Sequence, residues 1–209
     1  IPLPVVSRME KTRISAGNRS LDARIRRVAD DSPVIIIFHG QGEVVDMWAA
    51  CQEAFAEAGF STLVFDYSGF GASSGAGARG LGVLPCDSQA VLQASAALIP
   101  GNGARYALGF SLGSAVLLQA LPEAKCLLDG VILCEPFASI RELICCPGRL
   151  PRPLRFLVAN ILDSTKALAR QSARIHLLHS AADELVPLRH AELLHQRSPD
   201  LTTLHQLAG

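Results

Sequence analysis

The apolar positions of this chain change period repeatedly, and each change marks an element. Residues 10–28 alternate polar and apolar and are split by Gly17-Asn18, which predicts a hairpin at a sheet edge. Val34 to Phe38 (VIIIF) is a continuous apolar, mostly β-branched run, the pattern of a strand buried on both faces. From Asp46 the spacing turns helical through Trp48, Cys51, Ala54, Phe55 and Ala58, and Gly59 closes the helix. A strand at 62–65, a long loop over 66–82 and a helix over about 87–99 follow, and Pro100-Gly101-Asn102-Gly103 breaks that helix. Next come a strand at 105–110 and a helix beginning at Ser111. A strand at 131–134 and a proline-containing stretch over 137–170 come after them. The pattern closes with a strand at 174–178, a helix opened by Pro187 and running to Arg197, and a last strand over 201–207. Strands alternating with helices predict an α/β fold: a mostly parallel central sheet covered by helices on both faces.

The junction of strand 105–110 with the next helix reads Gly109-Phe110-Ser111-Leu112-Gly113. A serine at the tip of a sharp strand-to-helix turn holds its hydroxyl clear of the backbone, where it can attack a carbonyl. Glycines on either side relieve crowding where the chain folds back. A second match, Gly71-Ala72-Ser73-Ser74-Gly75, sits among small residues with no strand before it and no helix directly after it. It reads as a surface loop.

In parallel sheets, chemistry collects in the loops at the carboxyl ends of the strands. Three informative segments lie there: His39–Gly42, Ser111 and Asp183. A serine hydroxyl is a weak nucleophile until a base takes its proton and an anion orients that base. Asp183 follows a strand by a few residues, and the order Ser then Asp suits this fold. Glu135, just after strand 131–134, is the second candidate for the acid. An oxyanion needs two preorganised amides. Leu112, next to the nucleophile, supplies one, and Gln41, after His39-Gly40, is placed for the other. His39 reads as an imidazole that structures this loop rather than as the base.

Size and composition narrow the classes. A chain of 209 residues is one domain by length, with 137–165 as a small cap-like excursion. Hydrophobic residues make up 49%, as a doubly covered sheet requires. Formal net charge is zero, so nothing points to nucleic acid, and no apolar run reaches the roughly 18 residues of a membrane span. The six cysteines follow no zinc-like spacing and read as free thiols, favouring a reducing, cytoplasmic setting. Both ends of the domain read as cut, at Ile1 and at Gly209.

Four segments together resemble the α/β-hydrolase superfamily over nearly the whole chain. HGQGEVVDMW is similar to its oxyanion segment, and FDYSGFGASSG to the loop after the following strand. GFSLGS is similar to its nucleophile elbow and HSAADELVP to its acid segment. ILCEPFASIRELI and LDSTKALAR are similar to small serine hydrolases with a minimal lid, a subgroup found in bacteria that also includes eukaryotic protein depalmitoylases. The resemblance implies an α/β-hydrolase fold and a catalytic Ser111 with Asp183. It also implies an oxyanion hole of Gln41 and Leu112, and no metal or cofactor. Serine at the elbow, where dehalogenase-like relatives carry aspartate, argues against that branch.

The family's histidine follows its last strand, which places it a few positions past Gly209. His205 lies within that strand and reads as a strand residue. Three functions follow as expectations. The first is hydrolysis of a carboxylic ester or thioester of a small-molecule acyl substrate through an acyl-enzyme. The second is a non-catalytic ligand-binding module on the same scaffold, and the third is a peptidase of the same fold. Phe137, Leu143, Ile144, Leu154, Phe156 and Leu157 are candidate walls of an acyl pocket.

Overall fold

The computed structural model describes residues 9–75, 80–124, 128–144 and 159–208. Eight strands form one sheet: β1 (Glu10–Ala16), β2 (Arg19–Arg26), β3 (Val34–Phe38), β4 (Ser61–Phe65), β5 (Arg105–Phe110), β6 (Gly130–Cys134), β7 (Ile175–Ser180) and β8 (Thr202–Leu207). Their spatial order is β1-β2-β4-β3-β5-β6-β7-β8. The β1–β2 hairpin turns at Gly17, whose φ of 64° favours glycine, and β2 joins β4 antiparallel. Every pair from β4 to β8 is parallel. The helices are α1 (Ala49–Glu57), preceded by a 3-10 turn at Val45–Trp48, α2 (Leu84–Leu98), α3 (Leu112–Ala124), α4 (Ile140–Ile144), α5 (Ser164–Leu168) and α6 (Arg189–Arg197).

The run VIIIF is buried throughout because it serves two cores in alternation. Val34, Ile36 and Phe38 join the larger core, with residues of α2, α3, α5 and α6. Ile35 and Ile37 face the smaller one, beside Trp48 and Phe55 of the 3-10 turn and α1. Helix α3 is covered from Leu112 to Leu118 without a polar stripe, so it lies in the interior. Pro122 stands inside α3 and cannot donate to the Leu118 carbonyl. Gln171 Nε2 meets that need, donating to Leu118 O at 3.1 Å.

The hairpin is more deeply embedded than its alternating pattern implies. Of its two strands only β1 lies at an edge of the sheet, and the stretch Leu21–Arg26 of β2 is buried. Arg24 is 5% exposed, and its guanidinium donates to Asp22 Oδ2 at 2.8 Å and Asp46 Oδ1 at 3.1 Å. Asp87 is fully buried in α2. It accepts from Arg19 at 2.8 and 3.0 Å and from the Ser68 amide at 2.8 Å, tying the hairpin to the loop after β4. Buried charges persist when paired and hydrogen-bonded in this way.

Candidate active site

The parallel strands β5, β6 and β7 end side by side, with Phe110 opposite Cys134 and Cys134 opposite Leu178. Ser111, Glu135 and the loop carrying Asp183 therefore leave the same edge of the sheet in that order. At a strand spacing of about 4.8 Å, β5 and β7 are roughly 10 Å apart.

Ser111 has φ 50°, a left-handed conformation that a non-glycine residue adopts at a cost of about 1 kcal/mol or more. Its amide donates to Cys134 O at 2.9 Å, which anchors the turn on β6. The flanking glycines are set by contact rather than by flexibility. A Cβ at Gly109 would lie 2.7 Å from Ser114 Cα, and one at Gly113 would lie 1.9 Å from Phe38 O. The start of α3 is thus pressed onto the ends of β3 and β5. Ser114 Oγ closes the turn by donating to Gly109 O at 2.7 Å and lying 3.0 Å from Cys134 O. The Ser111 hydroxyl is half-buried and makes no hydrogen bond among the described residues. Gly113→Ala should lower stability by at least about 2 kcal/mol, because α3 or β3 must move to admit the methyl group. Urea denaturation checks this, and an unchanged midpoint would contradict the packing.

The loop after β3 is fixed from below. His39 is fully buried, and its Nδ1 donates to Gly40 O at 2.9 Å. Its Nε2 lies 3.4 Å from Asp66 Oδ1, and that oxygen accepts from the Val45 amide at 2.8 Å. Tyr67 and Phe70 pack on the ring, and the Tyr67 hydroxyl donates to His39 O at 3.2 Å. Gly71 has φ 46°, and a Cβ there would lie 1.9 Å from Asp66 Oδ2. The stretch FDYSGFG therefore serves as a cradle for His39. Glu43 Oε2 accepts from the Gly40 amide at 2.6 Å and from Trp48 Nε1 at 3.2 Å. With Gly40 tied down, the exposed amide of Gln41 has no acceptor among the described residues, and neither has the amide of Leu112 in the first turn of α3. A Cβ at Gly40 would lie 3.1 Å from Phe110 Cδ1, so this loop touches the elbow.

Asp183 is half-buried. Its Oδ1 accepts from the amides of Leu185 at 2.7 Å and Val186 at 2.9 Å. Glu135, also half-buried, has φ 49°. Its Oε1 accepts from the Ser180 amide at 3.0 Å, and its Oε2 lies 3.0 Å from His179 Nε2. Glu135, His179 and Asp183 bring potential ligand atoms within 4.8 Å of one another. However, His179 Nε2 donates to Val186 O at 2.6 Å, so the nitrogen facing Glu135 presents a proton rather than a lone pair. The trio is a poor metal nest.

The other histidines are engaged elsewhere. His176 and His205 pair across β7 and β8 at 2.9 Å, His190 Nδ1 accepts from the Ala138 amide at 3.4 Å, and His195 lies 2.9 Å from Thr202 Oγ1. Ser73, the serine of the second glycine-flanked match, is structural. Its hydroxyl donates to Asp66 O and accepts from the Asp22 amide, both at 2.7 Å. Among the candidate pocket walls, Phe137 is a core residue at 2% exposure, Leu143 packs partly against that core and Ile144 is exposed. Leu154, Phe156 and Leu157 lie outside the described residues. Cys51, Cys86 and Cys134 are free thiols, and Cys126, Cys145 and Cys146 also lie outside the described residues. Among the described residues no helix is long and apolar enough to cross a membrane.

Glu43 went unnoticed in the sequence, although a carboxylate three residues after Gly40 is placed to reach back to its amide, as in a helix capping box. Asp66 stands in the FDYSGFGASSG segment, but its partners Val45 and His39 lie more than twenty residues away, so its contacts are not local.

The family described as serine aminopeptidase, S33, matches residues 29–208, and the chain belongs to that family of α/β-hydrolases. Solved structures share its fold. An esterase of Pyrococcus furiosus, Pf2001, superposes with a TM-score of 0.75 at 18% identity, over 97% of this chain and 81% of that one. Est1E of Butyrivibrio proteoclasticus, solved with ferulic acid bound, gives 0.74 at 18% identity, over 95% and 89%. An acylaminoacyl peptidase of Pyrococcus horikoshii gives 0.72 at 15% identity, over 98% of this chain and 37% of that one. No curated protein matches the chain in sequence.

Proposed function

We propose that this hydrolase cleaves carboxylic esters or thioesters through an acyl-enzyme on Ser111. The observation that carries the proposal is the left-handed Ser111 at the tip of β5, its hydroxyl unbonded among the described residues. Ser111 Oγ attacks the acyl carbonyl carbon while a histidine takes its proton. The amides of Gln41 and Leu112 receive the developing oxyanion, aided by the positive end of α3. Collapse breaks the bond to the leaving oxygen or sulfur, which takes the proton from the histidine. Water then attacks the acyl-enzyme by the same route and releases the acid.

Asp183 orients the histidine and stabilises its cation. The turn after β8 is the position from which that histidine would reach both groups, because β8 is parallel to β7 and ends at the same edge. The protein needs no metal or cofactor in this scheme.

The family description and the Pyrococcus horikoshii neighbour keep a peptidase as the rival. A panel of p-nitrophenyl esters, acyl thioesters and aminoacyl amides, assayed on the protein as its gene encodes it, separates them. Ester or thioester turnover exceeding that of the matched amide by about 10²-fold or more in kcat/KM is expected. Preference for the amide would make it a peptidase, and no turnover of any substrate would favour a binding module.

A further inference from the structure

Glu135 is more than a neighbour of the proposed acid. It occupies a left-handed conformation just past β6, held by its own amide donating to Leu178 O at 2.9 Å. Strain at a non-glycine residue persists where the surroundings impose it, often for a functional reason. The result is a carboxyl group wedged between β7 and the loop of Asp183. One oxygen, Oε1, has a donor in the Ser180 amide. The other, Oε2, is buried and receives no properly directed hydrogen bond among the described residues, because the nearby His179 N–H is aimed at Val186 O. Asp183 brings a carboxyl oxygen within 4.8 Å of one of Glu135's. Two carboxylates that close, one with a buried oxygen that has no partner among the described residues, repel each other unless one of them carries a proton.

We propose that Glu135 is a positioning residue for Asp183: the two carboxyls share one proton, Glu135 donates it to Asp183, and the pair presents a single negative charge to the catalytic histidine. This rests on the serine hydrolase reading of Ser111 and Asp183. The groups facing Glu135 are His179 and the Ser180 amide on β7, Asp183 on the following loop, and Cys134 on its own strand. Burial pushes the Glu135 carboxyl up and Asp183 adds to that, while the Ser180 amide and His179 act against it. The Cys134 thiol, pushed up to about 11 mainly by burial, is neutral across the working range and adds no charge. A raised value means that the protonated form survives to higher pH than for a free glutamate. Once that proton leaves, the pair carries two charges and Asp183 is driven off its position.

The test compares Glu135→Gln and Glu135→Ala with the unaltered protein. Glutamine keeps a donor toward Asp183 and an acceptor for Ser180 but has no proton to lose, so kcat should stay within about threefold of the unaltered protein and hold level on the alkaline side where the unaltered protein declines. Alanine should lower kcat by about 10²-fold at constant KM, the effect of a displaced orienting group. Glutamine as poor as alanine, alanine as good as the unaltered protein, or superimposable pH profiles would each overturn the proposal. Infrared difference spectroscopy at neutral pH reads the proton independently of turnover. A neutral carboxylic acid band that disappears in Glu135→Gln is expected, and its absence from the unaltered protein would also overturn the proposal. A protein that shows the band but hydrolyses nothing would keep the shared proton and sink the hydrolase reading instead.

Discussion

Ser111→Ala is expected to lower kcat for a p-nitrophenyl ester by roughly 10⁶-fold while leaving the fold intact, because among the described residues no other serine follows a strand with the left-handed backbone of Ser111. Ser73 cannot take over, since its hydroxyl is committed to Asp66 O and the Asp22 amide. Ser114 cannot either, since its hydroxyl is spent on Gly109 O inside the turn. Alanine removes a side chain that makes no hydrogen bond among the described residues, and it relieves no strain, because its own Cβ meets the same backbone penalty at φ 50°. The thermal midpoint should therefore stay within a few degrees while turnover falls to the background of the proposed oxyanion amides. Steady-state kinetics with calorimetry on the same samples checks both halves. Unfolding of the variant would show that Ser111 is a structural helix-start residue, and unchanged turnover would remove it from the mechanism.

The second large effect is Asp183→Asn, expected to cost about 10⁴-fold in kcat with little change in KM. Asparagine can still accept from the Leu185 and Val186 amides through its carbonyl, so the loop should keep its shape. In the proposed mechanism, what disappears is the charge that stabilises the histidinium and the tautomer that points it at Ser111. Glu135→Gln separates the two acids. If Glu135 were the acid of the triad, its loss of charge would be the crippling one, and Asp183→Asn would be mild. A stopped-flow or endpoint assay sensitive to 10⁵-fold decides between the two orders of effect.

Much of this arrangement is legible from local pattern, and the parts that are not share a physical cause. VIIIF announced a doubly buried strand, and β3 spans those same residues. The glycines of GFSLGS implied close packing, which the contacts of Gly109 and Gly113 make concrete. Strand β7 runs two residues past its apolar run, to Ser180, because His179 and Ser180 pair with Gln206 and Leu207 of β8. Neither partner is visible in the local sequence. Helix α2 starts at Leu84 rather than near Asp87, with Pro85 in its first turn, where a missing N–H costs nothing. Arg24 looked like one polar position in an alternating hairpin. It is buried because Asp22 and Asp46 lie beside it, a fact set by how β2 meets the turn before α1. Periodicity reports which face is apolar, whereas long-range ion pairs and the partners of carboxyls such as Asp66 and Glu135 appear only once the strands are in order.

The central claim is that position 111 carries an activated hydroxyl. Treating the protein as its gene encodes it with a fluorophosphonate, then mapping the adduct by peptide mass spectrometry, tests this most directly. A single phosphonyl group on Ser111, abolished by prior heat denaturation, is the expected result. An adduct on any other residue, or none under conditions that label a control hydrolase fully, would contradict it.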